Sequence, residues 1–229
     1  MPFAGKSEDT ITDHKKLIII PGYNEEERIT AVIAEAKKYA QVIVVDDGSG
    51  DHTAAVAERA GATVLRHKVN LGKGAALKTG CEYAFARGAQ CIVVMDADGQ
   101  HNPKKIPDFF AGLELHDIVL GARTMPKSMP FILLTGNRII NKTLHLLYGI
   151  NIQDSQCGYR AFTEGAYQQM RWGARNYYVE TEMVIRAGKK HLRYTQIPIE
   201  TIYHDNYKGT TVIDGLTIVA RMIGARFFK

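Results

Sequence analysis

Short apolar runs alternate with helix-like segments along the first half of this chain, and that alternation limits the folds that the chain can adopt. Such runs are typical of buried strands. They lie at Leu17–Ile20, Val42–Val45, Ala62–Leu65, Cys91–Met95 and Ile118–Leu120. The segments between them carry apolar residues at helical spacing, as in Ile29, Val32 and Ala36. Strands that alternate with helices over short links predict a single α/β domain, in which a mostly parallel sheet is sandwiched between helices.

The charge of the chain narrows the range of its partners. Its 229 residues suit one large domain, and its formal net charge of +5 favours anionic partners such as nucleotides, phosphates, nucleic acid or acidic lipid. A nucleic-acid function is not favoured, because the basic residues are dispersed and no aromatic–basic stacking motif is present. The three cysteines, Cys81, Cys91 and Cys157, are odd in number and widely spaced. They predict reduced, buried thiols in a cytoplasmic protein rather than a disulfide framework or a zinc site.

Clusters of polar residues follow four of the five predicted strands, each at the point where the strand is predicted to end. The four polar clusters are Pro21–Glu25, Asp46–Ser49, Asp96–Gln100 and Gly121–Arg123. The carboxyl ends of parallel strands meet at one edge of a sheet, and ligands bind there in open α/β folds. Because so many carboxylates at one edge of a basic protein would repel one another, we predict a cation and a ligand at this edge.

Asp96 and Asp98 form a D-x-D pair directly after the fourth run. Residues i and i+2 at the end of an extended strand project to the same side, so both carboxylates can converge on one cation. Hard oxygen ligands suit Mg²⁺ or Mn²⁺, and Gln100 can add a carbonyl oxygen or hold a metal-bound water. The alternative is a polar turn that caps the strand, because Asp followed by Gly is also common in turns.

Two common nucleotide-binding fingerprints are absent from the sequence. The first strand is followed by PGYNEE rather than G-x-G-x-x-G, and Gly72-Lys73-Gly74 lacks the P-loop spacing. This glycine turn can still offer backbone N–H groups and the Lys73 side chain to a diphosphate, because a helix is predicted to begin there. A plain helix N-terminus is the alternative for this segment.

Six motifs occur in an order that resembles glycosyltransferase family 2. They are PGYNEE, VVDDGSGDHT, NLGKGAALKTG, VMDADGQH, GAR and DSQCGYRAF. The resemblance covers the chain from Lys16 to about Asp214, and it is greatest to the branch that transfers sugars to polyprenyl or dolichyl phosphate, such as the dolichyl-phosphate mannose synthases. It implies a GT-A fold with a Rossmann-like sheet, a nucleotide-sugar donor, a divalent metal and inversion at the anomeric carbon.

The resemblance also assigns residues of this chain to a donor site. It implies that the nucleotide-sugar is bound by Pro21, Tyr23, Asn24, Glu25, Val45, Asp47, Gly48, Lys73, Gly74 and Ala97. Within this set, Asp47 would contact the base. Asp96 and Asp98 would be the metal-binding pair, with Gln100 as a further metal contact.

A second set of residues is assigned to catalysis and to the acceptor. By the resemblance, Arg123 would lie beside the diphosphate or the acceptor phosphate. Glu180 would lie near the acceptor, although favourable charge at a helix N-terminus explains Glu180 and Glu182 equally well. The corresponding loop of dolichyl-phosphate mannose synthases usually carries Arg and Lys around a Ser, whereas Lys208 is the only cation between Tyr203 and Thr211. Lys208 is therefore assigned to the acceptor phosphate.

These assignments predict an inverting, metal-dependent hexosyltransferase. The donor would be a nucleotide-sugar of the GDP-mannose or UDP-glucose type, and the acceptor a polyprenyl or dolichyl phosphate. A phosphate with a second pKa of about 6 is largely ionised at neutral pH, so it needs orientation more than a strong base. A glycan or small-molecule acceptor is the alternative, and Glu180 or Glu182 would then be the base. A nucleotide-sugar-binding protein without catalysis is a further alternative.

Two segments have the pattern of helices that lie on a membrane surface. Residues 131–148, which include Leu144, and residues 214–229 combine apolar residues at helical spacing with basic ones. We therefore predict a flexible tail over 1–14, a catalytic domain over 15–213 and a C-terminal amphipathic helix over 214–229. The protein would be peripheral on the cytoplasmic face of the membrane, with a membrane protein or a second copy as candidate partners. The alternative is that both apolar stripes pack on the protein's own core.

Overall fold

The computed structural model describes residues 15–124, 131–176, 178–200 and 212–227. In these ranges the chain forms strands and helices that alternate for most of its length. Their order is β1 (Lys16–Gly22), α1 (Ile29–Ala36), β2 (Gln41–Asp46), α2 (Thr53–Arg59), β3 (Thr63–Arg66), α3 (Lys73–Ala86), β4 (Cys91–Val94), a 3₁₀ turn (Pro103–Lys105), α4 (Ile106–Gly112), β5 (Ile118–Arg123), α5 (Phe131–Tyr148), β6 (Arg160–Thr163), α6 (Glu164–Met170), α7 (Val179–Lys189), β7 (Tyr194–Ile199) and α8 (Val212–Phe227). The predicted tail at 1–14 lies outside the described residues.

The strands form one sheet in the order β3-β2-β1-β4-β6-β5-β7. Neighbouring strands are parallel wherever β6 is not involved. β6 runs antiparallel to both of its neighbours, β4 and β5. The prediction of an α/β fold with a mostly parallel sheet is therefore confirmed.

Two strands lie outside the apolar runs of the sequence. β6 begins with Arg160, and β7 carries polar residues and Pro198 among its apolar ones. β7 lies at an edge of the sheet, where a proline is tolerated because one side of the strand has no hydrogen-bonding neighbour. Neither segment has the continuous apolar character that identifies β1 or β4, so sequence periodicity alone does not find them.

The central strand β1 is buried on both faces. Ile18 and Ile20 pack into one apolar cluster with α1 and α4, whereas Leu17 and Ile19 pack into a second cluster with α3 and α7. This division follows from the alternation of side chains along a strand. Burial of each isoleucine stabilises the fold by about 1.5–3 kcal/mol. The cysteines, predicted as buried thiols, are buried and free at Cys81, Cys91 and Cys157.

Helix α3 lies very close to the sheet because it contains Gly80. A Cβ atom on Gly80 would come within 2.6 Å of Ile19 Cγ2 and 3.1 Å of Val45 Cγ2. A larger residue would therefore push α3 away from β1 and β2. Since α3 begins at Lys73, its close contact with the sheet brings the Lys73 side chain to the carboxyl edge of the strands.

Helices α5 and α8 pack against each other on one side of the domain. Tyr148 Oη donates to the carbonyl of Met222 at 2.7 Å, and Arg226 Nε donates to the carbonyl of Leu147 at 3.2 Å. Among the side chains that the structure describes on these two helices, the buried apolar ones are Ile140, Leu144, Ile218 and Met222. Core packing therefore accounts for part of the predicted amphipathic stripes. Within the described ranges, no helix combines the length and the apolar character that crossing a bilayer requires.

Candidate active site

Three of the four polar clusters that were predicted to share one edge of the sheet follow β1, β2 and β4, which are neighbours in the sheet. The backbone N–H of Asp47 donates to the carbonyl of Gly22 at 2.9 Å, and that of Met95 donates to the carbonyl of Ile19 at 3.1 Å. These contacts place the residues that follow β2 and β4 beside β1. The polar clusters that follow these three strands therefore share one surface.

An ion-pair cluster of three residues forms the centre of this edge. Lys73 Nζ lies 2.6 Å from Asp96 Oδ1 and 2.9 Å from Glu180 Oε1. Asp96 follows β4, Lys73 begins α3 and Glu180 lies in the first turn of α7, so three separate elements contribute to the cluster. Glu180 is buried, with only 4% of its surface exposed. We refer to these three residues as the Lys73 cluster.

The charges of the Lys73 cluster stabilise one another. Burial by itself lowers the pKa of Lys73, but the carboxylates of Asp96 and Glu180 outweigh burial and raise this pKa, so the ammonium group stays protonated. Burial by itself raises the pKa of Asp96, but the charge of Lys73 outweighs burial and lowers it. At neutral pH the cluster is therefore one cation held between carboxylates.

Asp98 lies beside the cluster, and its charge is poorly compensated. Burial and the negative charge of Asp96 raise the pKa of Asp98 to about 6. Asp98 Oδ1 accepts the backbone N–H of Gln100 at 2.9 Å, and this bond shapes the loop after β4. A divalent cation between Asp96 and Asp98 would remove the repulsion between their carboxylates.

The donor atoms at this loop fit Mg²⁺ or Mn²⁺. Asp96, Asp98 and the amide of Gln100 supply hard oxygen donors, which these cations prefer. Among the described residues, no three side chains of Asp, Glu, His or Cys are grouped as a complete metal site. A cation held by the Asp96–Asp98 pair would therefore take its remaining ligands from water or from phosphate oxygens, as Mg²⁺ commonly does.

Gly158 leaves room for the carboxylate of Asp96. A Cβ atom on Gly158 would lie 2.6 Å from Asp96 Oδ2 and 2.9 Å from Lys73 Nζ. Any side chain at this position would push one of these two groups out of place. Gly158 belongs to the DSQCGYRAF motif, and its contact with Asp96 gives a physical reason for a glycine there.

His101 supports Asp96 from its buried side. His101 Nδ1 accepts the backbone N–H of Asp96 at 3.2 Å, and the His101 ring stacks on Tyr159 with centroids 4.9 Å apart. Burial lowers the pKa of His101 to about 4, so the ring is neutral at physiological pH. His101 therefore helps to position Asp96 and adds no charge to the site.

Asp47 holds the turn that precedes α3. Its carboxylate accepts the backbone N–H groups of Leu71 and Gly72 at 2.9 and 2.8 Å, and it contacts His67 Nδ1 at 2.7 Å. The other ring nitrogen of His67 contacts Thr79 Oγ1 at 2.9 Å. The observed role of Asp47 is thus to fix the glycine turn, and its predicted contact with a base stays a prediction.

The glycine turn is covered by the loop that precedes α7. The N–H of Gly74 donates to the carbonyl of Arg175 at 2.8 Å, and Trp172 Nε1 donates to the carbonyl of Gly74 at 2.8 Å. A Cβ atom on Gly74 would lie 2.1 Å from the carbonyl oxygen of Ala174. Gly74 thus serves close packing and its N–H is engaged, so its predicted contact with a donor stays a prediction. The group that this turn brings to the site is the side chain of Lys73.

Glu180 and Glu182, which the sequence leaves as equal candidates, have different roles in the structure. Glu182 accepts the N–H groups of Gly173 and Ala174 at 3.1 and 2.7 Å, and it pairs with Arg186 at 2.7 Å. It thereby holds the loop that covers the glycine turn. Glu180 is the one of the two that lies at the site, as a member of the Lys73 cluster.

Arg123 is held by Asp154, a residue that was not among the predicted ones. Nε and Nη2 of Arg123 donate to Oδ2 and Oδ1 of Asp154 at 2.5 and 3.0 Å, and Asn137 Nδ2 donates to Oδ1 at 3.1 Å. Burial by itself raises the pKa of Asp154, but the guanidinium of Arg123 outweighs burial and lowers it. Asp154 is the first residue of DSQCGYRAF, so that motif carries a signal for it.

Arg160 joins the loop before β6 to the first turn of α7. Its buried guanidinium donates to the carbonyls of Cys157, Ser155 and Glu180 at 2.9, 2.7 and 2.7 Å. The contact with Glu180 fixes the backbone of a residue in the Lys73 cluster. The sequence offers Arg160 as a candidate to align the acceptor or as a solvated surface charge, whereas in the structure it is a buried positioning residue.

The residues assigned to the nucleoside lie at this edge but differ in exposure. Tyr23 and Asn24 are exposed, and Asn24 Oδ1 accepts the N–H of Gly50 at 2.9 Å. Gly48 has a φ of +73° and packs against the backbone of Val69. The buried members of the set are Pro21, Glu25, Val45, Asp47, Gly74 and Ala97. Tyr23 and Asn24 are thus the exposed members of the set, and all of its assigned contacts with a donor stay predictions.

Lys208 and the rest of the loop at 201–211 lie outside the described residues. The assignment of Lys208 to an acceptor phosphate therefore stays a prediction.

Comparisons with known proteins identify related enzymes. Residues 17–171 match the family described as Glycosyl transferase family 2. A UDP-N-acetylglucosamine–dolichyl-phosphate N-acetylglucosaminyltransferase of Methanococcus voltae is 32% identical to this chain, over 93% of the chain and 96% of the relative. A polyprenol monophosphomannose synthase of Mycolicibacterium smegmatis is 28% identical, over 85% of this chain and 81% of the relative.

The fold is shared with a solved structure of glucosyl-3-phosphoglycerate synthase from Mycobacterium tuberculosis in complex with Mg²⁺ and UDP. The two structures agree with a TM-score of 0.74, and the match covers 93% of this chain and 79% of that chain at 21% identity. This likeness concerns the fold, and the predicted GT-A fold is confirmed. The family resemblance drawn from the six motifs is confirmed as well, since the matched segment covers more than half of the chain. This chain belongs to glycosyltransferase family 2.

Proposed function

We propose that this family 2 glycosyltransferase transfers a hexose, with inversion, from a nucleotide-sugar to a polyprenyl-type phosphate at a membrane surface. The donor is of the GDP-mannose or UDP-glucose type, and the reaction depends on Mg²⁺ or Mn²⁺. The observation that carries the proposal is the D-x-D pair, Asp96 and Asp98, at the carboxyl end of β4 beside Lys73 and Glu180. The two relatives described above support the acceptor, because they are named for dolichyl phosphate and for polyprenol monophosphomannose.

Asp96, Asp98 and Gln100 would hold the metal. When bound, such a cation neutralises the charge that develops on a leaving diphosphate. Asp96 is prepared for this role, because His101 accepts its backbone N–H and Gly158 leaves space for its carboxylate. Burial and the neighbouring carboxylate of Asp96 raise the pKa of Asp98, and a cation held by both residues would offset the repulsion between their carboxylates.

The acceptor phosphate requires orientation and positive charge. A phosphomonoester is largely ionised at neutral pH, so its oxygen attacks without a strong base. Arg123 is fixed by Asp154, and a guanidinium offers the planar set of donors that recognises phosphate. Lys208 is assigned as a second contact to this phosphate. Glu180 is paired with Lys73, and we assign it to the organisation of the site rather than to proton abstraction.

The nucleoside would bind between the loops that follow β1 and β2. Tyr23 presents an exposed ring there, and aromatic rings are suitable surfaces for stacking of a base. Asp47 fixes the turn that leads to Lys73 through its bonds to Leu71 and Gly72. A nucleoside bound next to Asp47 would therefore place its diphosphate toward the start of α3.

The outer faces of α5 and α8 support a location at a membrane surface. Ile139, Leu146 and Ile223 are large apolar residues that remain exposed on these helices. Arg138 and Lys142 are exposed on α5 as well. Exposed apolar residues next to basic ones suit the surface of an acidic bilayer, where a polyprenyl tail stays in the lipid while its phosphate enters the site.

A transfer assay with the purified enzyme tests the proposal. UDP- and GDP-sugars are supplied with Mn²⁺ and one of three acceptors: a polyprenyl phosphate, the same polyprenol without phosphate, or a soluble glycan. We expect sugar on the polyprenyl phosphate alone, and no product in EDTA or with Asp98→Asn. Asp108→Asn, on the exposed side of α4, is the matched control and should retain activity. Transfer to the glycan, at a rate that falls as a carboxylate is protonated, would support the alternative acceptor instead.

A further inference from the structure

In the Lys73 cluster, the ammonium group of Lys73 contacts Asp96, the residue that would bind a divalent metal ion in the proposed function. Lys73 Nζ is 2.6 Å from Asp96 Oδ1, so the two groups form a close ion pair. Asp96 is also a proposed ligand of the divalent metal. Glu180 binds the same ammonium group at 2.9 Å through Oε1, and its Oε2 is buried without a hydrogen-bond partner among the described residues.

We propose that Lys73 is an internal counter-cation that occupies the carboxylate of Asp96 in the metal-free enzyme and gives it up when the divalent cation binds. Lys73 then stays paired with Glu180. In the metal-free state it keeps β4 and α7 together across the site, and by competing for Asp96 it sets the affinity for metal. This inference rests on the metal dependence in the proposed function.

Electrostatic repulsion prevents Lys73 and a divalent cation from sharing Asp96. With the ammonium group 2.6 Å from Oδ1, a cation on the same carboxylate would lie only a few ångström from a unit positive charge. Repulsion at such a distance is strong in partly buried surroundings. Asp96 is held in place, because His101 Nδ1 accepts its backbone N–H at 3.2 Å and the loop that follows is fixed by the bond from the Gln100 N–H to Asp98 Oδ1 at 2.9 Å. Lys73 is therefore the group that has to move.

The structure allows Lys73 to move without disturbing the fold around it. The turn before Lys73 is fixed by Asp47, and the next residue, Gly74, is anchored to Trp172. Glu180 is held by the bond from Arg160 to its carbonyl. The lysine side chain is a flexible four-carbon stem, so rotation about its own bonds is sufficient to exchange Asp96 for Glu180 alone.

Binding of Mn²⁺ alone, measured by electron paramagnetic resonance without donor or acceptor, tests this inference. Lys73→Gln removes the competing charge, so we expect Mn²⁺ to bind at least about fivefold more tightly than to the wild type. Lys73→Arg keeps the charge and should bind Mn²⁺ within about twofold of the wild type. The same is expected of Lys78→Gln, an exposed lysine farther along α3 that serves as the matched control. Equal or weaker binding of Mn²⁺ by Lys73→Gln would overturn the inference.

A second pair of measurements covers the case in which Lys73→Gln folds poorly. Without Lys73 the carboxylates of Asp96 and Glu180 repel each other, so in EDTA this variant should melt at a lower temperature than the wild type, and Mn²⁺ should raise its melting temperature by a larger amount. In the wild type, the NMR signal of the Lys73 Cε group, assigned by its loss in Lys73→Arg, should shift when Mg²⁺ is added. A Lys73 signal that is unchanged at saturating Mg²⁺ would overturn the inference.

Asp98→Asn separates this inference from the proposed function. If Asp98→Asn loses Mn²⁺ binding while Lys73→Gln shows no tighter binding, only the role of Lys73 is wrong. If Asp98→Asn binds Mn²⁺ as the wild type does, the metal site of the proposed function is wrong, and the exchange at Asp96 fails with it.

Discussion

Arg123 and Asp154 form a bidentate ion pair, in which Arg123 Nε lies 2.5 Å from Asp154 Oδ2 and Nη2 lies 3.0 Å from Oδ1. Asp154 is almost fully buried and accepts further hydrogen bonds from Asn137 and from the backbone of Gln156. The pair therefore joins the end of β5 to α5 and to the loop before β6. We propose that Arg123 binds phosphate, and Asp154 fixes the orientation of its side chain. Asp154 is in turn held by its own hydrogen bonds.

Asp154→Asn should lower both the stability and the transferase activity. The substitution keeps the shape of the side chain but leaves the Arg123 guanidinium, whose side chain is 14% exposed, without its carboxylate. Loss of one partner of a buried pair costs about 3–5 kcal/mol, and partial exposure of Arg123 reduces the expected cost to about 1–3 kcal/mol in the free energy of unfolding. Urea denaturation measures this change.

Asp117→Asn is the matched control for that prediction. Asp117 also forms a bidentate contact with an arginine, Arg193, but solvent screens this exposed pair. The control should change the stability far less than Asp154→Asn and leave the activity unaltered. Equal effects of the two substitutions would mean that the Arg123–Asp154 pair has no special role.

Gly158→Ala should impair the site although it adds only one methyl group. The new Cβ would lie 2.6 Å from Asp96 Oδ2, so it should displace the carboxylate, weaken Mn²⁺ binding and cost about 1–3 kcal/mol of stability through overpacking. Gly136→Ala in α5 is the control, because a Cβ there meets no atom within 4 Å. The control should instead stabilise the helix by about 0.5–1 kcal/mol. Wild-type Mn²⁺ affinity in Gly158→Ala would show that Asp96 does not depend on this space.

Asp98 should make the metal-free enzyme less stable as the pH rises. Its pKa is raised from an ordinary value of 3.8 to about 6, so between these values the folded protein binds more protons than the unfolded chain. Stability in EDTA should therefore fall as the pH rises through this window, and the loss is complete above it.

Asp98→Asn keeps the acceptor for the Gln100 N–H and should stabilise the metal-free protein by on the order of 1–3 kcal/mol at pH 8. Thermal unfolding in EDTA at pH 4, 6 and 8 measures the difference, and a variant no more stable than the wild type at pH 8 would contradict the prediction.

The location of the site could be predicted from the sequence because its polar residues follow continuous apolar strands. Asp96 and Asp98 come directly after β4, and parallel strands bring their carboxyl ends to one edge. The partners across the site could not be predicted in this way. Lys73 and Glu180 lie on different helices far apart in the sequence, and their contact arises from tertiary packing. Glu180 and Glu182 also look alike locally, but residues two apart on a helix point in different directions.

The amphipathic pattern of α5 was only partly informative. Leu144 belongs to its apolar stripe, and this stripe was predicted to face a membrane. In the structure Leu144 is fully buried in the core. A stripe of apolar residues indicates that a helix face is covered but does not identify what covers it. Exposure in the folded domain is therefore needed to choose the residue that tests membrane contact.

Leu146 is the residue through which α5 should contact a membrane, because 79% of its surface is exposed. Leu146→Glu removes apolar area and adds a negative charge, so we expect less of the protein to float with acidic liposomes, with no loss of stability. Leu115→Glu is the matched control. Leu115 is 73% exposed but lies after α4, which packs on the opposite face of the sheet. The control should float as the wild type does.

The salt dependence of flotation separates membrane attraction from nonspecific adhesion. Screening should reduce flotation of the wild type at high salt, because it weakens the attraction of Arg138 and Lys142 to acidic headgroups. Leu144→Glu is not a useful substitute for Leu146→Glu, because a charge buried at that position would destabilise the core whatever the membrane does. If Leu146→Glu floats as well as the wild type at both salt concentrations, and transfers sugar to a polyprenyl phosphate in liposomes at the same rate, then α5 does not form the membrane-contacting face.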